Sequence, residues 1–297
     1  MYLINSYRFG GGAAPVSPDF TMLVKTDNAG TSASDQFTIP TTGVGYNYDV
    51  NWGDGTTSTA VTGSITHTFP SAGTYVVKIS GAFPRIFFNS GGDRRKLLEV
   101  QNWGNIAWSN MQSAFANCTQ MDVTATDVPD LSSCVSMRAM FISASSLVGN
   151  SSFENWNTSA VTDMREIFQN ASLFNQDISL WAVQNVTNMR NMFTGATSFN
   201  HNLGTWNLYL SLTNMSSIFS SSGMSTANYT DTIVGWANYT TTNSSPFSVS
   251  MATQTGRTFD TSRSGGANFA DAGAARTYLT TATPTGAGWT ISGDTVI

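Results

Sequence analysis

The stretch that decides the fold is Asn185-Val-Thr-Asn-Met-Arg-Asn-Met-Phe193, with Ala196 and Phe199-Asn200 after it and Phe174-Asn-Gln-Asp-Ile-Ser-Leu-Trp181 before it. Its centre, a Met followed four residues later by Phe, recurs as Met111/Phe115, Met137/Phe141, Met164/Phe168, Met189/Phe193 and Met215/Phe219. Successive Met residues are 26, 27, 25 and 26 apart. A period in the twenties belongs to stacked-repeat architectures, in which one copy cannot bury its own apolar face and needs its neighbours.

The columns of the repeat carry the local expectations. Three residues after the Met stand Ala114, Met140, Ile167, Met192 and Ile218, and four after it Phe every time. Apolar residues at i, i+3 and i+4 form one stripe on a helix. The residue before the Met is Asn110, Ser136, Asp163, Asn188 or Asn214, all helix N-cap types. The spacing therefore predicts a short capped helix at each Met, fed by a brief strand around Trp108, Cys134, Val161, Val186 or Leu212. Small residues, Cys118, Ala144, Ala171, Ala196 and Ser222, stand seven after the Met. Trp103, Trp156, Trp181 and Trp206 precede it by eight or nine residues, with Pro129 in that slot in the second copy. Such a stripe reads as packing rather than as a cofactor site.

These motifs resemble the BspA-type surface-protein repeat, the "domain of unknown function 285" family of bacterial surface proteins and phages. The resemblance covers about 120 residues and weakens in copies one, two and five; copy two lacks the Trp, and copy five carries Ser220-Ser-Ser-Gly223. It implies a leucine-rich-repeat-like α/β solenoid of about five turns over residues 91–224, a role in adhesion or recognition, and no catalytic residue.

Upstream, Phe20–Val24, Gln36–Ile39, Tyr46–Trp52 and Thr74–Ile79 read as strands separated by Gly, Pro, Asp and Ser. Val50-Asn-Trp-Gly-Asp-Gly55, His67-Thr-Phe69 and Ala72-Gly-Thr-Tyr-Val-Val77 resemble the polycystic-kidney-disease (PKD) β-sandwich, which implies an all-β, Ig-like spacer or binding module over residues 19–90. Asp49 and Asp54 are read as turn acceptors rather than Ca²⁺ ligands, and His67 as a packed side chain. Arg94-Arg-Lys96, the strongest basic cluster, reads as a solvated turn. Residues 225–297 are expected to cap the stack, with helices near Ser225–Ala237 and Ala272–Leu279. The fold class is therefore multidomain: a β-sandwich, a repeat stack and a cap.

Residues 1–18 place Tyr2, Leu3, Ile4, Tyr7 and Phe9 ahead of Gly10-Gly-Gly12. They read either as a frayed terminus or as an anchoring segment on a larger particle, with a Gly hinge. The opening residues lack the basic and apolar regions of a signal peptide, and no apolar run reaches membrane-spanning length.

Charged residues make up 10% of the 297-residue chain, with a net charge of −5 and three Lys (Lys25, Lys78, Lys96). That is far below the usual quarter or so and excludes a cationic nucleic-acid face. Cys118 and Cys134 are read as buried thiols, with a disulfide as the alternative, and with His67 and His201 they make no zinc site. Asn-x-Ser/Thr triplets such as those at Asn157, Asn185 and Asn214 follow from composition. The three glutamates, Glu99, Glu154 and Glu166, form no recognisable acid/base pair, and no nucleophile-elbow, metalloprotease or P-loop motif occurs.

The reading is a non-enzymatic virion structural protein, a surface decoration, head-fibre or tail-associated protein, without cofactor or metal. It is homo-oligomeric, joined to other virion proteins through its N-terminal segment, and in contact with a host-surface glycan or protein. The alternatives are a secreted bacterial cell-surface adhesin, for which the chain would be a form lacking its signal or one with a different start, and a polysaccharide-acting enzyme. Trp156, Trp181 and Trp206 are read first as buried, and as candidate glycan-stacking residues only if they are exposed.

Overall fold

The computed structural model describes residues 18–209, 211–243, 249–281 and 287–297. The segment Tyr2 to Phe9, expected to be an anchor, lies outside them. The described chain is mostly β, with two α-helices, a large mixed sheet and no closed barrel.

Six strands open the chain: β1 (Phe20–Lys25), β2 (Gln36–Ile39), β3 (Asn47–Asn51), β4 (Thr57–Val61), β5 (Ile65–Thr68) and β6 (Thr74–Ala82). They are followed by β7 (Leu97–Asn102) and β8 (Asp122–Val123). One sheet runs β4-β3-β6-β1-β7-β8, and β2 pairs with β5 in a separate two-stranded sheet. In β3, Tyr48 and Val50 are buried while Asn47, Asp49 and Asn51 face out, the period-two alternation of a half-buried strand. All pairs in the large sheet are antiparallel except β7 with β8, which is parallel. Since β8 already lies in the first repeat copy, the sheet passes into the stack through hydrogen bonds, with no free linker between them.

The Met/Phe copies are not helices. Each is a pair of consecutive four-residue turns. In copy one, Ala114 N–H bonds Met111 O and Cys118 N–H bonds Phe115 O, with Ser113 and Asn117 at φ 53° and 59°. The same left-handed positions recur at Ala139/Ser143, Glu166/Asn170, Asn191/Gly195 and Ser217/Ser221. A left-handed third residue is the mark of a type II turn. The intervening amides leave the coil altogether: Met111, Ser113, Phe115 and Asn117 donate to Ser136, Arg138, Met140 and Ile142 of the next copy at 2.8–2.9 Å. Helical i to i−4 bonds are thereby replaced by coil-to-coil bonds. The expected caps become Asx-type turns, in which Asn110, Asp163, Asn188 and Asn214 Oδ1 each accept the N–H two residues on. The expected feeder strands reduce to single parallel bridges, Ser136–Asp163, Asp163–Asn188 and Asn188–Asn214.

All ten column residues, Met111, Phe115, Met137, Phe141, Met164, Phe168, Met189, Phe193, Met215 and Phe219, are fully buried. The five Phe rings stack in file with centroids 5.5–5.8 Å apart. Phe88 precedes them at 6.5 Å and Trp236 follows at 6.0 Å. The file thus runs from the N-terminal sheet side to the first helix, and each aromatic pair adds about 0.5–1.5 kcal/mol beyond its burial.

The distal end is closed by α1 (Thr226–Thr242), β9 (Ser250–Met251), β10 (Thr258–Phe259), α2 (Ala272–Thr280), β11 (Thr290–Ile291) and β12 (Thr295–Val296). Ser225 Oγ caps α1 by accepting from Asn228 N, and Asp271 caps α2 by accepting from Ala274 N. Helix α1 meets the fifth coil backbone to backbone: a Cβ at Gly235 would fall 2.4 Å from Gly204 Cα, so neither position tolerates a side chain. Strands β9 and β11 continue the parallel ladder past Asn214. One continuous apolar cluster runs from Phe20 to Trp289. Cys118 and Cys134 are free, buried thiols; burial pushes Cys118 well above its usual range and Cys134 to about 11.

In the basic cluster the turn is present and Arg95 is exposed, but Lys96 departs from expectation. Lys96 is fully buried and Asp93 is 1% exposed. Lys96 Nζ donates to the carbonyls of Ser32, Ala33 and Gln36 and to Ser32 Oγ, which in turn donates to Asp93 Oδ2 at 2.6 Å. Asp93 also accepts from the amides of Thr31, Ser32 and Thr38. Burial alone would raise its carboxyl, but these bonds hold it below the usual range. The loop before β2 is thus pinned to the segment before β7 by partners about sixty residues apart in sequence.

Two outcomes follow for stability. Lys96→Met should cost about 3–5 kcal/mol, because it leaves the buried Asp93 carboxylate without the cation 4.0 Å away and the carbonyls of Ser32, Ala33 and Gln36 without their donor; urea denaturation would read this. Ser221→Gly, at an exposed φ of 53° whose counterpart in the preceding copy is Gly195, should gain about 0.5–1 kcal/mol. That corresponds to a melting temperature about 2 °C higher by calorimetry.

Candidate recognition surface

Equivalent residues of successive coils lie side by side, so each column becomes a row on the surface. One row is Thr162, Thr187 and Thr213, whose hydroxyls donate to the carbonyls of Val135, Thr162 and Thr187 at 3.0–3.2 Å. A second is Ser145, Ser172 and Thr197, donating to Thr119, Ser145 and Ser172. Asn175 and Asn200 form a third: Asn175 Oδ1 accepts Asn200 N, and Asn200 Oδ1 accepts Ser225 N. These side chains are held by the neighbouring coil, so the polar face is ordered before any partner arrives.

Cations appear in one column only. Arg138, Arg165 and Arg190 stand one after their Met residues. Asp163 takes Arg165 in a two-bond pair at 2.6 and 2.9 Å, and Glu166 meets Arg138 at 3.5 Å. The remaining carboxylates do not gather: among the described residues no group of three or more His, Cys, Asp or Glu side chains converges. Glu99 accepts from Gln101 and Thr124. No described helix is long and apolar enough to cross a membrane.

The repeat tryptophans are not surface platforms. Trp156, Trp181 and Trp206 are 2%, 2% and 1% exposed. Trp181 Nε1 donates to Phe153 O and Trp206 Nε1 to Ile178 O, each reaching the preceding coil, and Trp236 makes the matching bond to Leu203 O. Their flat faces are spent on packing, Trp156 on Trp181 at 5.9 Å, so the exposure on which a sugar-stacking role depended is absent.

In the N-terminal β region, His67 stacks on Trp52 at 4.5 Å, and His67 Nε2 lies 2.8 Å from Asp54 Oδ2. Asp54 Oδ1 accepts from Thr56 N and Thr56 Oγ1, while Asp49 accepts from Ala60 N. Both carboxylates are occupied by hydrogen-bond donors. Burial works to raise Asp54, but the bonds from Thr56 and His67 outweigh it and lower it to about 2.

One concavity faces solvent on the tryptophan side, a groove of about 270 Å³ between the fourth and fifth coils. Its lining includes Ser179, Leu180, Trp181, Gln184, Thr205 and Asn207. Leu180 is 66% exposed. Reading the sequence for aromatic platforms missed it. The signal was the spacing: Trp206 precedes Met215 by nine residues, where Trp181 precedes Met189 by eight.

The molecule is thus a β-sheet prolonged into a ladder of coils that displays ordered, nearly uncharged rows. A family model described as "Mycoplasma protein of unknown function, DUF285" matches residues 109–232, from the first coil into α1. Strands β1 to β7 lie outside that match. No curated protein and no solved structure matches the chain.

The Asp54 arrangement has a pH consequence. Because its folded value lies below the unfolded one, its contribution is full above about pH 4 and lost as pH falls toward 2. Asp54→Asn should lower the melting temperature at pH 7, and the gap to the parent should close between pH 4 and 2 in a pH series of thermal melts.

Proposed function

We propose that this chain is a non-enzymatic, surface-displayed recognition protein. On this reading the coils form a leucine-rich-repeat-like solenoid, carried by a PKD-like sandwich and closed by the C-terminal cap. The observation that carries it is the set of Ser, Thr and Asn rows fixed across successive coils. A preordered neutral face loses little side-chain entropy when it meets a partner rich in hydroxyls or amides. The match to a repeat family over residues 109–232 supports the same class of role.

The setting we favour is the surface of a virus particle, with Tyr2, Leu3, Ile4, Tyr7 and Phe9 as its attachment to other virion proteins and homo-oligomeric display. The second setting is a bacterial cell surface, where the chain acts as an adhesin; the repeat match fits it equally well. Mass spectrometry of purified particles and of envelope fractions separates the two, since the protein must be present in one of them.

Recognition itself has a distinct signature. Attachment of the full chain to host envelope preparations should change less than about twofold between 0.05 and 0.5 M salt, because screening acts on charges and the rows carry none. Attachment abolished by salt would contradict the proposal, and so would release of new reducing ends from the envelope glycan by the purified chain.

A further inference from the structure

We propose that the groove between the fourth and fifth coils is a binding site for a neutral saccharide unit. This deepens the recognition reading and rests on it.

The groove arises from the repeat itself. In copies three and four the arm from Trp to Met spans eight residues, and two of its amides are engaged: Asn157 Oδ1 accepts Ser159 N within copy three, and Asn185 Nδ2 donates to Ser159 O from copy four. Copy five has one residue more between Trp206 and Met215. A single added residue cannot keep the ladder register along the whole arm, and the concavity lies where the two arms of unequal length meet.

Two side-chain amides at that place are left over. Gln184 and Asn207 line the groove, and neither makes a side-chain hydrogen bond to any described residue. Asn207 occupies the position after Trp206 that Asn157 occupies after Trp156, where the amide is engaged. Each amide offers donors and an acceptor, the pairing that vicinal hydroxyls require. Thr205 Oγ1 is committed to Ser179 O, which holds the wall between them in place. Leu180, 66% exposed, supplies an aliphatic platform for the C–H face of a sugar ring. Beneath it Trp181 is anchored through Nε1 to Phe153 O, so the floor is rigid.

The chemistry selects the ligand class. No ionisable side chain lines the groove. A phosphate or carboxylate entering it would find no charged partner, and charge-assisted bonds are what such groups need. A volume of about 270 Å³ lies just below the range of drug-sized pockets, which suits one sugar ring or the end of a chain rather than a long peptide. With so few atoms in contact, the dissociation constant for one unit is on the order of 1 mM. Useful attachment then requires many copies on one surface.

The test titrates the full chain by NMR with neutral mono- and disaccharides of glucose, galactose, mannose and N-acetylglucosamine. At least one should bind and perturb the Leu180 methyls and the Trp181 indole. Leu180→Asp and Asn207→Ala should each weaken it about tenfold or more, and Asn157→Ala should leave it unchanged. The proposal is overturned if no sugar of the panel binds, or if one binds and both groove variants keep its affinity. It also fails if Leu180→Asp instead abolishes a concentration-dependent dimer, which would assign the groove to a second copy. Envelope attachment measured in parallel keeps the two claims apart. Attachment that persists in Leu180→Asp sinks the groove and leaves the recognition role standing, whereas no attachment by the parent chain sinks the role itself.

Discussion

From each Met onward, alternate amides of a coil bond the carbonyls of the next coil, and the amides between them close local turns. Phe141 N–H reaches Ile167 O, Phe168 N–H reaches Met192 O and Phe193 N–H reaches Ile218 O, each at 2.9–3.0 Å. This division satisfies the backbone twice over, within a coil and between coils. A buried peptide group without a partner costs as much as a lost hydrogen bond, so the coil conformation persists only while a neighbour is present. The left-handed residues at Ala139 and Glu166 show how strong that constraint is, since both side chains disfavour φ near 53° and 62° and adopt it nonetheless.

Packing follows from the ladder. Once equivalent residues are in register, equivalent rings are too, and the Phe file with its flanking Phe174 and Phe199 becomes a continuous aromatic spine. A spine of this kind must end somewhere. On one side it ends on Phe88 and the sheet through β7 and β8; on the other, Trp236 of α1 takes the next place and repeats the indole-to-carbonyl bond of Trp181 and Trp206. The ends are sealed with the same interactions that build the middle.

The surface consequence is economy of charge. With the core assured by Met and Phe, the outward positions need only be polar, and Ser, Thr and Asn also bond along the stack. The face is therefore regular, neutral and stiff, which suits repeated weak contacts with an uncharged partner better than one strong contact with an ionic one. The groove is the place where regularity fails, and two of its lining amides, Gln184 and Asn207, take no part in the ladder.

The inward columns were legible because a periodic apolar position in a stack has nowhere else to go. The local conformation was misread for an instructive reason. Two successive turns send the residues at i, i+3, i+4 and i+7 inward, the same set that a helix would. The discriminating feature was the run of Asn117, Ser143, Asn170, Gly195 and Ser221 six residues after each Met, where a helix gains nothing from such residues and a left-handed turn does; two residues after it, Ala139 and Glu166 gave the opposite signal. The tryptophans were legible as a column and were read first as buried; the structure agrees, although an aromatic residue can serve a core or a platform and only the neighbouring coil decides which. Lys96 carried no local sign of burial: its partners stand some sixty residues earlier, and a charged side chain is buried only where distant segments supply its acceptors. The sequence by itself therefore determined the repeat, its period, its inward residues and its low charge, because these are properties of composition and spacing. Tertiary structure alone decided turn against helix, platform against core, and which amides stayed unpaired, because each depends on hydrogen-bond partners that another coil provides.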